Sequence, residues 1–131
     1  MSDRTRILIA DDEQNLCRVL AARLRKDGHD ADTVHDGAEA LARLAAAIYH
    51  LVMLDLRMPI LGGMDVLAEI RRCYPATAVI VMTAYDSEEA VHAVMAAGAH
   101  SYVTKPFDLD RVAAEVSEVL QRSRVSGSPG G

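Results

Sequence analysis

The stretch Leu51-Val52-Met53-Leu54-Asp55 constrains this chain more than any other. A short apolar run bounded by turn signals reads as a strand covered on both faces, the usual state of a central strand in a parallel sheet. The loop beyond it carries Pro59 and Gly62-Gly63. Asp55 therefore stands at the carboxyl end of a buried strand. In open α/β sheets that edge is where ligands bind. Taken alone, an aspartate there also serves as a loop cap.

The remaining segments repeat the pattern. Arg6-Ile7-Leu8-Ile9-Ala10 is a first apolar run, ending in Asp11-Asp12-Glu13. Leu16, Val19, Leu20 and Leu24 follow at helical spacing, with Arg25-Lys26 near the end and Gly28 as the cap. Asp30 to Val34 is a weaker second strand, and Asp36-Gly37-Ala38-Glu39 opens a helix that runs through Ala47. After the Asp55 strand come a helix from Met64 to Cys73, stopped by Pro75, and a fourth strand from Ala78 to Met82. Asp86-Ser87-Glu88-Glu89 opens the next helix, which reaches Gly98, and His100 to Val103 is the fifth strand. Leu109, Val112, Val116 and Leu120 stripe a last helix. Five alternations of strand and helix favour right-handed crossovers and a doubly wound α/β sheet with five helices on its two faces.

One domain accounts for residues 1–121 of the 131. From Arg122 onward the apolar period is lost, which predicts a flexible tail over 122–131 or the start of a linker. A net charge of −5 argues against direct contact with nucleic acid. Cys17 and Cys73 have neither metal spacing nor the density of a secreted scaffold, so reduced thiols in the cytoplasm are expected. No apolar stretch approaches the roughly 18 residues of a membrane span. The five histidines share no ligand spacing.

Four of the five strands end on polar groups at one edge. The first delivers Asp11 and Asp12, the third Asp55, the fourth Thr83 and the fifth Lys105. In a flavodoxin-like order 2-1-3-4-5 the first and third strands are neighbours, so three carboxylates converge. Like charges that close need a cation, and an oxygen-only donor set suits Mg2+. A lysine and a hydroxyl alongside suit a phosphoryl group, and an aspartate can accept one covalently. Each residue has a plainer use: Asp11 and Asp12 as helix caps, Thr83 as a strand-end hydroxyl, Lys105 as a solvated charge, Tyr102 as edge packing.

Asp11-Asp12, Asp55 with Met58-Pro59 and Gly63, Thr83-Ala84, Tyr102 and Lys105-Pro106 together resemble the receiver domain of response regulators in two-component signalling. The likeness covers residues 5 to 120, with 28 residues from Asp55 to Thr83 and 22 from there to Lys105. It implies phosphoryl transfer to Asp55 from a sensor histidine kinase or a phosphotransfer protein. It implies Mg2+ bound by Asp12 directly, by Asp11 mostly through water, by Asp55 and by the backbone carbonyl of Arg57. Thr83 and Lys105 would hold the phosphoryl oxygens, and Tyr102 would turn inward with Thr83. The face of the fourth helix, fifth strand and last helix would then meet an output domain, a partner or a second copy. Receivers of nitrogen-regulation-type activators look most similar. In this pattern Arg57 and Tyr85 flank the phosphoryl site, a bulky pair that shields it from water, and Gly62 replaces a more usual polar residue.

Other readings differ at single positions. A receiver-like interaction module working without phosphorylation would tend to lose one of Asp11, Asp12, Asp55, Thr83 or Lys105. A dehalogenase-type hydrolase needs an aspartate where Arg57 stands. A flavodoxin-like cofactor binder needs a Ser/Thr/Gly-rich turn in place of Asp11-Asp12-Glu13.

Overall fold

The computed structural model describes residues 4–126. Five strands, β1 (Arg6–Ala10), β2 (Asp30–Val34), β3 (Leu51–Asp55), β4 (Ala78–Thr83) and β5 (Ser101–Thr104), form one parallel sheet in the order β2-β1-β3-β4-β5. They alternate with α1 (Gln14–Lys26), α2 (Gly37–Ala46), α3 (Gly63–Cys73), α4 (Glu88–Ala96) and α5 (Leu109–Ser126). This is the doubly wound α/β architecture that the alternation of segments predicts.

The pleat divides the core in two. Successive strand side chains point to opposite faces. Ile7, Ile9, Leu51, Met53, Ile80 and Met82 pack with Leu20, Leu24, Val112 and Val116 of α1 and α5. Leu8, Val52, Leu54, Val79 and Val81 pack instead with Leu44, Val66, Leu67 and Val94 of α2, α3 and α4. β3 is buried along its whole length, as is β4. That accounts for their unbroken apolar sequences.

Helix boundaries follow local chemistry. Asp36 caps α2 by accepting the Glu39 N–H at 2.7 Å, and the Glu39 carboxylate reaches back to the His35 N–H at 2.9 Å. Ser87 caps α4 by accepting the Ala90 N–H at 3.1 Å. After α1, Gly28 takes the left-handed conformation (φ +97°) that ends the helix. α5 runs to Ser126, five residues past the point where the apolar period predicts a flexible tail. Helix-compatible polar residues and a Glu118–Arg122 pair at 3.9 Å accompany the extension. Residues 127–131 of that expected tail lie outside the described residues.

Two histidines stitch the opposite, amino edge of the sheet. His50 Nδ1 accepts the Arg6 N–H at 3.0 Å, and His100 Nδ1 accepts the Val79 N–H at 3.2 Å. Burial lowers the His100 pKa, and the charges of Arg71 and Arg122 lower it further. A lowered folded-state pKa means the unfolded chain binds the proton first, so this contribution to stability is lost as pH falls below the ordinary histidine value. His100→Gln should therefore lose less stability than wild type between about pH 7 and pH 5.5, as read from denaturant titrations.

Candidate functional site

Register alone brings the acidic groups together. Ala10 pairs with Leu54, so the next residues on each strand, Asp11 and Asp55, stand side by side. Asp55 itself pairs with Met82, and Thr83 with Thr104, which sets Lys105 just beyond the same edge. The pleat then sorts the side chains. Asp11, Asp55 and Lys105 continue the alternation of Ile9, Met53 and Val103, on the α1–α5 side. Thr83 and Tyr102 have the opposite parity and share the α4 side.

Lys105 is the hub. Its ammonium lies 2.8 Å from Asp11 Oδ2, 2.9 Å from Glu13 Oε1 and 3.5 Å from Asp55 Oδ2. Burial disfavours its charge, but hydrogen bonds to Asp11 and Glu13 outweigh that and hold its pKa above the usual lysine value. Asp11 is fully buried and also accepts the Glu13 N–H at 2.9 Å. Asp55, 5% exposed, has its pKa raised by burial, opposed by the Arg57 N–H at 3.2 Å and reinforced by the charge of Asp11. Asp12 is exposed and makes no hydrogen bond or ion pair among the described residues.

One oxygen from each of Asp11, Asp12 and Asp55 lies within 4.8 Å of the others. All three are hard, anionic donors. A Mg2+ with bonds of about 2.1 Å spans such a set when one carboxylate is held through water. The residues present therefore fit the ion. Gly63 keeps the floor of the loop open, because a Cβ there would collide with the Asp55 carbonyl and the Leu56 backbone. Thr83 is buried, and its hydroxyl oxygen accepts the Tyr85 N–H at 2.9 Å. Tyr102 is 37% exposed and lines a surface recess with Asp86, Val91 and Met95.

The residue types around the strand ends do not by themselves indicate two of the contacts. Glu13 joins Asp11 and Asp55 as a third carboxylate on Lys105, legible only as part of an acidic triplet. Arg57 and Tyr85 form a bridge, with guanidinium Nη1 donating to the phenol oxygen at 3.0 Å and stacking 5.7 Å from the ring centre. Behind the site, the Cys17 thiol donates to the Asp11 carbonyl at 3.2 Å, and burial pushes its pKa up to about 11. It is an inert thiol at neutral pH.

Comparison with known proteins decides the family. Residues 7–117 match the response regulator receiver domain. The chain belongs to that family. It is 35% identical over 123 residues to the transcriptional regulatory protein ZraR of Klebsiella oxytoca, covering 94% of this chain and 28% of that protein. It is 35% identical over 118 residues to the response regulator ArlR of Staphylococcus aureus, covering 90% of this chain and 53% of the other. The receiver thus spans between about a quarter and a half of these relatives. Among solved structures, a CheY-like receiver domain protein from Methanospirillum hungatei JF-1 superposes with TM-score 0.90 at 25% identity, covering 95% of this chain and all of the other. NtrX from Brucella abortus superposes with TM-score 0.88 at 28% identity, covering 94% of this chain and 28% of that one. Receivers of two-component systems are phosphoacceptors rather than conventional enzymes, they bind Mg2+ at an acidic pocket, and they work with histidine kinases or phosphotransfer proteins. Among the described residues of this receiver, no helix is long and apolar enough to cross a membrane.

The raised pKa of Asp55 carries a sign. A carboxyl whose folded-state pKa exceeds its unfolded value weakens the fold as pH rises through that window, and the cost is complete at neutral pH. Asp55→Asn should raise the Tm of the metal-chelated receiver at neutral pH. The gain should shrink as pH falls toward about 4, where the unfolded carboxylate also protonates. Thermal denaturation across that range checks it.

Proposed function

We propose that this receiver accepts a phosphoryl group on Asp55 from the phosphohistidine of a sensor histidine kinase or phosphotransfer protein, acting in the cytoplasm. The observation that carries this reading is a buried strand-end carboxylate flanked by two further aspartates and a lysine. An Asp55 oxygen attacks phosphorus in line, forming the O–P bond as the N–P bond breaks, and the histidine nitrogen keeps the electron pair. Asp55 needs no proton removed, because it reacts as the carboxylate.

Asp11, Asp12, Asp55 and the Arg57 carbonyl would hold Mg2+. When bound, that ion neutralises charge on the transferring phosphoryl oxygens. Asp12 suits direct ligation because it has no other partner among the described residues, whereas Asp11 is already engaged by Lys105 and the Glu13 N–H. Lys105 exchanges its hold on Asp11 and Asp55 for a phosphoryl oxygen. The Thr83 oxygen already accepts the Tyr85 N–H, so its own O–H is available to another phosphoryl oxygen.

The phosphoryl group adds roughly −1.5 to −2 charges and favours one of two pre-existing conformations. Thr83 drawn toward it leaves room on the side it shares with Tyr102, and the tyrosine ring turns inward. That movement reshapes the α4–β5–α5 face for an output domain, a partner protein or a second copy. Direct contact with nucleic acid or membrane is left to other parts of the system.

Intact mass after incubation with a small-molecule phosphoryl donor tests the site. One adduct is expected, dependent on Mg2+ and absent from Asp55→Asn. A folded, Mg2+-binding protein that gains no adduct would overturn the reading in favour of an unphosphorylated interaction module.

Arg57 and Tyr85 stand two residues beyond Asp55 and Thr83, where their bridge would hinder a hydrolytic water approaching Asp55. It prolongs the phosphorylated state. The double variant Arg57→Asn, Tyr85→Glu should lose its phosphoryl group faster than wild type in a time course of adduct mass. An unchanged lifetime would remove the bridge from the account.

A further inference from the structure

Behind the main chain of Asp11 lies a recess of opposite character to the acidic pocket. It occupies about 260 Å3 between α1 and β2, and Gln14, Arg18, Arg25, Thr33 and His35 line it. None of its lining residues is a carboxylate, in a chain of net charge −5. Arg18 makes no hydrogen bond or ion pair among the described residues. Among the described residues, Arg25 is held only by the Ala31 carbonyl, at 2.6 Å. Two guanidiniums are thus left without anionic partners at one polar cavity. β2 is the edge of the sheet, paired on one side only by β1. Asp30 N–H and Val34 C=O are engaged toward β1, at Thr5 and Asp11. The alternation of a parallel strand therefore turns the Thr33 main chain, with its N–H, to the open edge. His35 serves as wall, since its Nδ1 contacts the Asp11 carbonyl at 3.1 Å.

We propose that this recess binds a small phosphate-bearing anion, held by Arg18 and Arg25 and by the Thr33 hydroxyl and N–H. Guanidinium donors fork onto phosphate oxygens in pairs, and such charge-assisted bonds are the strong ones. The volume falls below the roughly 300 Å3 at which drug-sized ligand pockets begin, which suits a small anion rather than a nucleotide-sized one.

The test is an NMR titration of the isotope-labelled chain, with divalent metal chelated so that the acidic pocket repels anions. Inorganic phosphate, methyl phosphate and chloride are added separately at matched ionic strength. Saturable shifts at Thr33, His35 and the first turns of α1 are expected with phosphate, and binding about tenfold weaker in Arg18→Gln. Arg18 holds no other described group, so its replacement leaves the fold intact. Methyl phosphate binding as tightly as inorganic phosphate identifies an esterified ligand, and inorganic phosphate alone identifies the free ion. Shifts confined to Asp55 and Lys105, an equal response to chloride, or unchanged affinity in Arg18→Gln would overturn the proposal.

Discussion

Three carboxylates are crowded at the carboxyl edge of two neighbouring strands, and everything functional about the molecule answers to their repulsion. Asp11 and Asp55 are both buried, where an unpaired charge is costly. Lys105 arrives from the end of β5, three strands along the sheet from β1, and bridges them. The arrangement is stable enough to exist and strained enough to welcome a dication. A site that is held by one flexible cation is easily rearranged. The same electrostatic imbalance makes the pocket a fitting seat for a hard dication.

Much of this was legible before any coordinates. The apolar runs at β1, β3 and β4 announce buried parallel strands because nothing polar interrupts them, and a strand buried on both faces has no other way to look. Once the order places β1 beside β3, Asp11, Asp12 and Asp55 must converge. Lys105 and Thr83 were readable for the same reason, as polar groups at strand ends.

What escaped the sequence depended on side-chain reach. Glu13 looks like part of a helix start until Lys105 is seen to lie on it. Arg57 and Tyr85 are legible as a bulky pair beside the site, but the hydrogen bond and ring contact between them across 28 residues are not. The course of α5 past residue 121 is not legible because Gln121 and Arg122 carry no apolar period, although such residues support a helix well. His100 offered no spacing signal, since its ring accepts a backbone N–H rather than joining a cluster.

The division of the core by strand parity has a wider consequence. Each of the strands β1 to β4 belongs to two cores at once, one through its odd positions and one through its even positions. Inserting or deleting a single residue inside a strand would exchange the two sets and ruin both layers together. The loops at the carboxyl edge carry no such obligation. A lineage of these molecules is thus free to rewrite its chemistry and its partners by editing the loops, while the strands stay fixed in length. The scaffold is rigid in its arithmetic, and the freedom lies at its rim.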